Sequence, residues 1–510
     1  MRKHKTLQVR NTTFSLLIIT FTLLTLSLSM SAHSTSSPYS RYGIGDINNK
    51  NFGQTAAMGG TNIAMQNDTL PLFFINPNNP ASYSNMRLTT AEVGMNYNRV
   101  QLQNTDSKQN INNASLAYVA LAFPLKKWWG TSFGLVPFSS VGYKVTDHQV
   151  INSVPIDYLY DGSGGINQLY LGNAFKPLYG LPKMFMGSDY YKRLSSKTNP
   201  DNTLKTDSAY KADQAIIKGI LKHKKSLQNL SLGFNFSYLF GHIDHSRRDL
   251  FPYSGSFFNT RTGVTTRVSD VYFDYGVQYA FTFDSVRYRD DKDSIHPIKR
   301  RALKDKVQLL FGAIFAAQTN ISAKNDSLAY TYYSDAQGYE RVKDTIENTK
   351  GTHGNITLPL SFGIGLGLKK GDKWLIAADF AMQNWSSYKA FDQTGGLKNS
   401  MRVSLGGQWT PNSQATQKHY MQRIRYRAGV RYAQTALELK STQLTESAVS
   451  IGFGFPIGTD YRAANFSMLN IGLELGERGT INNGLIKENF FKATIGFTIN
   501  DLWFRKYKYD

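Results

Sequence analysis

The chain has 510 residues, no cysteine and a formal charge of +22. Without cysteine it has no disulfide framework, no lipidation thiol and no Cys-ligated metal, so stability must rest on burial and hydrogen bonding. Beyond the N-terminus there is no second long apolar run, which excludes helical membrane spans. Yet 30 Tyr and 31 Phe stand beside 42 Gly, a mixture that transmembrane barrels produce from aromatic girdles, a lipid-facing apolar face and a small, polar lumen face.

The first segment reads as a secretory signal peptide over residues 1–32. Arg2, Lys3, Lys5 and Arg10 form a positive start, Phe14 to Leu28 an apolar stretch, and Ser29, Ser31 and Ala32 a small-residue end. These four positive charges account for part of the +22 and leave +18 for the exported chain. A basic surface can serve nucleic acid, but an exported chain meets little of it, and the Lys and Arg here are spread along strands and loops. Outer-membrane lipid and lipopolysaccharide, with their anionic headgroups, are the better partners.

Residues 33–86 do not alternate. They carry Tyr42-Gly43-Ile44-Gly45, Met58-Gly59-Gly60-Thr61 and Asn76-Pro77-Asn78-Asn79-Pro80, where clustered glycine supplies unusual backbone angles and close packing. The apolar residues among these turns, Ile63, Met65, Phe73 and Phe74 included, predict a packed segment inside a lumen; a flexible tail is the alternative.

From residue 87 onward the pattern has period two. Lipid forces backbone polar groups into a closed ladder, and strand side chains then alternate out and in. Leu360, Phe362, Ile364, Leu366 and Leu368 oppose Ser361, Gly363, Gly365 and Gly367; after the turn Lys369–Asp372 the pattern restarts at Trp374. Similar runs predict about fourteen strands, at 88–102, 112–123, 129–143, 163–174, 229–241, 267–283, 306–318, 356–368, 373–388, 400–410, 421–437, 447–456, 466–476 and 489–500. A soluble β-sandwich also alternates, but its polar face is rich in charge, whereas here Gly, Ser, Thr and Asn dominate. The predicted fold is an all-β transmembrane antiparallel barrel in a Gram-negative outer membrane, with an N-terminal hatch in its lumen. Short turns at 124–128 and 369–372 mark the periplasmic end, and 242–266 and 319–355 the outer end. Residues 175–228 break that rule by being long on the periplasmic side. Within them Ala209 to Leu221 reads as a helix, either a plain surface insertion or an element that docks a protein partner.

At this point the chain resembles the FadL/TodX family of outer-membrane transporters for long-chain fatty acids and other hydrophobic compounds. Met58-Gly59-Gly60, Asp68 and Asn76-Pro77 are similar to its hatch. Phe123-Pro124-Leu125, Trp128 through Gly134, and Pro137-Phe138 resemble its second-to-third strand hairpin. Leu358-Pro359, Asp379 and Trp385-Ser386 resemble a later one. The resemblance implies fourteen strands, an N-terminal hatch and passive uptake of a hydrophobic small molecule or fatty acid, released through a gap in the third strand. The residues of that gap would be Gly134, Pro137 and Phe138. A mid-strand Pro belongs at a bulge or an edge, so an ordinary bulge near the rim is the alternative. The double Asn at 78–79 and the 175–228 insertion depart from the family pattern. They keep open a barrel that serves as a partner of a secretion or surface-assembly machine, docking through that insertion or its outer loops.

No catalytic constellation, cofactor motif or metal set emerges; His242 and His245 lack a carboxylate frame. The most informative polar set is the inward row Arg423, Arg425, Arg427 and Arg431. Four cations on one face need partners, expected among Asp46, Asp68, Asp274, Asp379 and Glu474. The row then anchors the hatch by salt bridges, or Arg425, Arg427 and Arg431 hold a ligand carboxylate while Ile63, Met65, Phe73 and Phe74 contact its chain.

Overall fold

The computed structural model describes residues 37–66, 74–201, 203–251, 257–290, 300–335, 337–457 and 466–501. The leader read at 1–32, and with it Asp68 and Phe73, lie outside these residues. Among the described residues fourteen strands close into one antiparallel ring. They are β1 (Thr89–Gln103), β2 (Lys108–Lys126), β3 (Trp129–Ile151), β4 (Val154–Phe175), β5 (Ser231–Leu250), β6 (Asn259–Asp290), β7 (Arg300–Ala316), β8 (Ser361–Lys370), β9 (Trp374–Gln383), β10 (Ser400–Trp409), β11 (Arg425–Leu439), β12 (Thr442–Ile457), β13 (Phe466–Gly479) and β14 (Lys487–Asp501). The seam is long: β14 pairs with β1 from Lys487↔Gln103 to Asp501↔Thr89. Each strand corresponds to a predicted one. The fourth is longer than the sequence suggested, because Tyr158 to Ser163 pairs despite weak alternation.

The period-two reading appears directly in the burial. Along β8, Phe362, Ile364, Leu366 and Leu368 are exposed on the outer face while Gly363, Gly365 and Gly367 are buried. The outer face continues round the ring through Phe311, Ile376, Leu405, Val430, Ile451 and Phe497, all exposed. A monomer in water would not leave so continuous an apolar belt uncovered; bounded by lipid it costs nothing. Trp128, Trp129 and Phe175 cluster at one rim, and Trp409, Tyr426 and Phe453 at the same end of later strands, as interfacial girdles require.

Antiparallel alternation places the β2–β3 and β8–β9 turns at one end, together with the start of β1 and the end of β14. Between β4 and β5, at that same end, stand three helices: α1 (Leu181–Met186), α2 (Asp189–Ser195) and α3 (Asp207–Leu227). The helix expected at 209–221 thus extends by a turn or more in total, and Ser226 fastens its end to the Tyr279 hydroxyl of β6 at 2.7 Å. At the opposite end the expected loop 319–355 is instead a hairpin, Thr319–Ser334 with Glu340–Leu358. It prolongs β7 and β8 beyond the apolar belt. Its strands were illegible because both faces are exposed and mostly polar between Arg341 and Lys350, with Val342 and Ile346 too sparse to mark an alternation.

Inward glycines serve a purpose other than flexibility. A β-carbon added to Gly233, Gly312, Gly406 or Gly429 would come within 3.0 Å of backbone or side-chain atoms of the N-terminal segment, at Ala81, Ile63, Met58 and Gly59 in turn. The wall therefore touches that segment backbone to backbone, which only glycine permits. Replacing Gly429 by Ala should cost about 1–3 kcal/mol of overpacking and loosen the segment, so that limited proteolysis of the folded barrel cuts within 37–66. Gly367, whose added β-carbon meets only ordinary contacts from 3.5 Å, should tolerate Ala with protection unchanged. Equal protease sensitivity in the two variants would sink the assignment.

Candidate functional site

The N-terminal segment is positioned by polar side chains that point inward from the strands. Asp379 of β9 accepts the backbone N–H groups of Asn62 at 2.6 Å and Ile63 at 2.9 Å. Gln278 of β6 donates to the carbonyls of Ile63 and Met65, each at 3.0 Å. Ser450 of β12 accepts from the Gly59 N–H at 2.7 Å, and the Tyr118 hydroxyl from that of Gly53 at 2.8 Å. Asn235 donates to the Pro77 carbonyl at 3.0 Å. Within the segment, Asn76 donates to the Asn62 carbonyl and Asn79 to the Ile63 carbonyl, both at 2.7 Å. Asn79 also accepts the Ala81 N–H at the start of the turn Pro80–Asn85. Irregular backbone at membrane depth must satisfy its polar groups inside the protein, and these side chains do so.

Charged groups gather on the outer side of this floor. Arg431 bridges Glu446 at 2.6 Å and Glu474 at 2.9 Å. Arg478 pairs with Asp46 at 2.8 Å and approaches Glu488 at 4.0 Å. Lys50 pairs with Asp274 at 2.7 Å. Tyr39 donates its hydroxyl to the Ile486 carbonyl and accepts the Ile486 N–H; burial pushes that hydroxyl up to about 12, so it stays a donor.

Above the floor lies a chamber of about 450 Å³, lined in part by Ile44, Phe138, Tyr272, Leu358, Trp385 and Leu397 on its apolar side and by Arg402, Arg431, Arg478, Glu446, Glu474 and Lys492 on its charged side. A second cavity of about 930 Å³ opens toward the loop end. Ile111 of β2 lines both.

Beside Ile111 the wall is split. The β2–β3 ladder rises from Lys126↔Trp129 to Val119↔Leu135 and ends there. Beyond it, 108–118 pairs with β1 and 136–151 with β4, but not with each other. The N-terminal segment lends a short strand to the β3 edge, with Asp46 opposite Ser140 and Ile47 opposite Ser139. Ser37 N–H and Asn48 N–H reach the carbonyls of Gly142 and Phe138, each at 3.0 Å.

The residues singled out from sequence fall in three places. Gly134 lies in the last paired stretch of β2–β3, Pro137 just past its end, and Phe138 is the extra residue of a bulge against β4. Met58, Gly59, Gly60, Ile63, Met65, Asn76 and Phe74 are buried in the floor, Pro77 beside them, with Met58, Met65 and Phe74 in one apolar cluster with Leu310 and Leu375. Of the arginines, Arg431 lines the chamber. Arg427 points into the floor, donating to Gln408 at 2.9 Å and Asn470 at 2.8 Å. Arg425 is half-buried where β11 begins, and Arg423 precedes the strand, stacked near the Tyr420 ring. Among the expected acids, Glu474 meets Arg431, Asp46 meets Arg478, and Asp274 takes Lys50, whereas Asp379 serves backbone N–H groups. The reading missed Arg402, Arg478, Gln278 and Asn235. Their signal was available as long polar side chains in phase with the inward face, but nothing in sequence ranked them above their neighbours.

Removing Arg431 as Arg431→Met leaves two partly buried carboxylates facing each other and should cost about 1–3 kcal/mol. Adding Glu446→Gln and Glu474→Gln should recover much of that loss. Thermal unfolding in detergent checks both; a single variant as stable as the parent would show that the bridge contributes nothing.

No curated protein matches the chain. Among solved structures, a Pseudomonas aeruginosa FadL homologue aligns with 91% of this chain and 100% of its own, at 12% identity and a TM-score of 0.48. The Pseudomonas putida toluene transporter TodX aligns over 90% and 99% at 11% identity and 0.41. The CymD monoaromatic hydrocarbon channel aligns over 90% and 99% at 12% and 0.44. At such scores these likenesses add nothing to the fold already read from strand pairing. A family model described as BamG matches residues 14–191 and 297–510, taking in the N-terminal segment, the slit and the charged chamber wall. By that match, which spans most of its length, the chain belongs to the BamG family.

Proposed function

We propose that the chain is a passive outer-membrane channel for hydrophobic small molecules, long-chain fatty acids among them, set in outer-membrane lipid and lipopolysaccharide. The observation that carries this reading is the chamber: it has a floor of packed N-terminal segment and a split wall at its side. A molecule arriving from the loop end meets the packed floor on the axis, and the slit between β2 and β3 gives it a lateral exit. Phe138, Leu358 and Leu397 suit an apolar chain, and Arg431 beside Arg402 suits a carboxylate. The proposed passage runs down a concentration gradient, without ATP or a redox cofactor.

A second reading is favoured by α1–α3. The helical insertion exposes Met184, Leu204 and Ile216 among Lys183, Lys211, Lys218 and Lys222, at the end where β1 begins and β14 finishes. That surface fits a barrel that holds a protein partner of a surface-assembly machine.

Native mass spectrometry of the barrel extracted gently from its own membranes separates the two. Bound fatty-acid mass, with binding of a dansyl-labelled long-chain fatty acid weakened at least about tenfold by Phe138→Asp, supports the channel. An empty barrel that neither binds the probe nor releases lipid, but carries a stoichiometric protein lost on deleting 181–227, replaces it with the partner reading.

A further inference from the structure

A second break in the wall lies four strands further round the ring. β6 pairs with β7 up to Tyr275↔Phe315, and it pairs again with the prolongation of β7 from Val268↔Ala323 outward. Between these points 269–274 and 316–322 are not paired with each other. β6 keeps its other neighbour over the same stretch, from Ser269↔Phe240 to Asp274↔Asn235. The β7–β8 ladder is interrupted at the same height, where Ala317 and Gln318 stand opposite Pro359 and Leu360 between the pairs Ala316↔Ser361 and Thr319↔Leu358. Pro359 has no N–H to contribute there.

The result is a window, closed above and below, and about 20 Å tall at the usual rise per residue. Side-chain hydrogen bonds reach across it: Asp270 accepts the Ser322 N–H at 2.7 Å, a carboxylate standing where a strand carbonyl would be, and the Tyr272 hydroxyl bonds the Ser361 side chain. Unlike the slit, the window has no segment laid along its edge among the described residues. Its outer lips are apolar and exposed, at Val271, Phe273 and Phe315. Its inner lips, Tyr272, Ala316 and Leu358, belong to a buried apolar cluster and line the chamber. Phe138 from the slit and Tyr272 from the window meet edge to face at 5.8 Å, so the two openings flank one aromatic pair.

A wall against lipid ordinarily leaves no such stretch unpaired. We propose that this window is a second lateral portal, through which an extended acyl chain passes between the chamber and the membrane, with Tyr272 as its inner bar. The inference rests on the channel reading and adds to it a second route.

Because the chain has no native cysteine, Asp270→Cys with Ser322→Cys can be bridged by a short bis-thiosulfonate and released by reductant. Transfer of a dansyl-labelled long-chain fatty acid into liposomes bearing the full barrel is measured in both states, alongside binding of the same probe. Bridging should slow transfer at least about threefold, reversibly, with binding unchanged. Ala317→Trp, a bulky obstruction at the same place, should slow it without any cross-link. Parent-level transfer in both the bridged protein and Ala317→Trp overturns the portal and leaves the channel reading intact. A parent barrel that neither binds nor transfers the probe overturns the channel reading itself, and the portal with it.

Discussion

The structure depends on one constraint: backbone N–H and C=O groups that face lipid have no water to bond with, so each strand must find a neighbour on both sides. The ring meets that demand through a seam of β14 against β1 that runs the full length of both strands. Everything else follows from what this closure encloses. The apolar outer face is the ordinary result of burying a sheet in lipid. The inner face is less ordinary, because it is built to receive a piece of irregular chain.

Two kinds of inward residue make that possible, and they divide the work. Glycines let the wall approach the N-terminal segment at backbone distance, and polar side chains supply the hydrogen bonds that the segment's turns cannot make for themselves. Asp379 shows the logic. The sequence pattern offers it as a partner for an arginine, but it takes two successive backbone N–H groups, a charge-assisted pairing stronger than a neutral one. The arginines are then left to the acids of neighbouring strands, which is why Arg431 lies between Glu446 and Glu474.

This division explains what could and could not be read from the chain. Period-two alternation is a local property, so the fourteen strands were legible, and so was the Gly phase of β8. Which inward residue bonds which turn depends on register across strands far apart in sequence, and alternation carries no register. The outer hairpin escaped because polar residues dominate both faces of its exposed stretch 341–350. The arginine row was legible as inward-facing, but its separation into Arg427 in the floor and Arg431 in the chamber depends on the height of the N-terminal segment. Pro137 was a local signal, and the end of the β2–β3 ladder lies beside it. The window at 269–274 left no such mark, since Val271 to Phe281 alternates without a fault and the break is made by β7 and Pro359 on the other side.

The seating of Met58, Ile63 and Ala81 against glycines of β5, β7, β10 and β11 also bears on the order of assembly. These contacts come from strands spread round the circumference, and they fit the segment more closely than a passage would. A cylinder completed first would have to admit the segment against walls already at their final spacing. The segment leaves the synthesis machinery ahead of every strand, so the strands can wrap on it as on a mandrel, and the final seam then fixes the diameter that the segment has set.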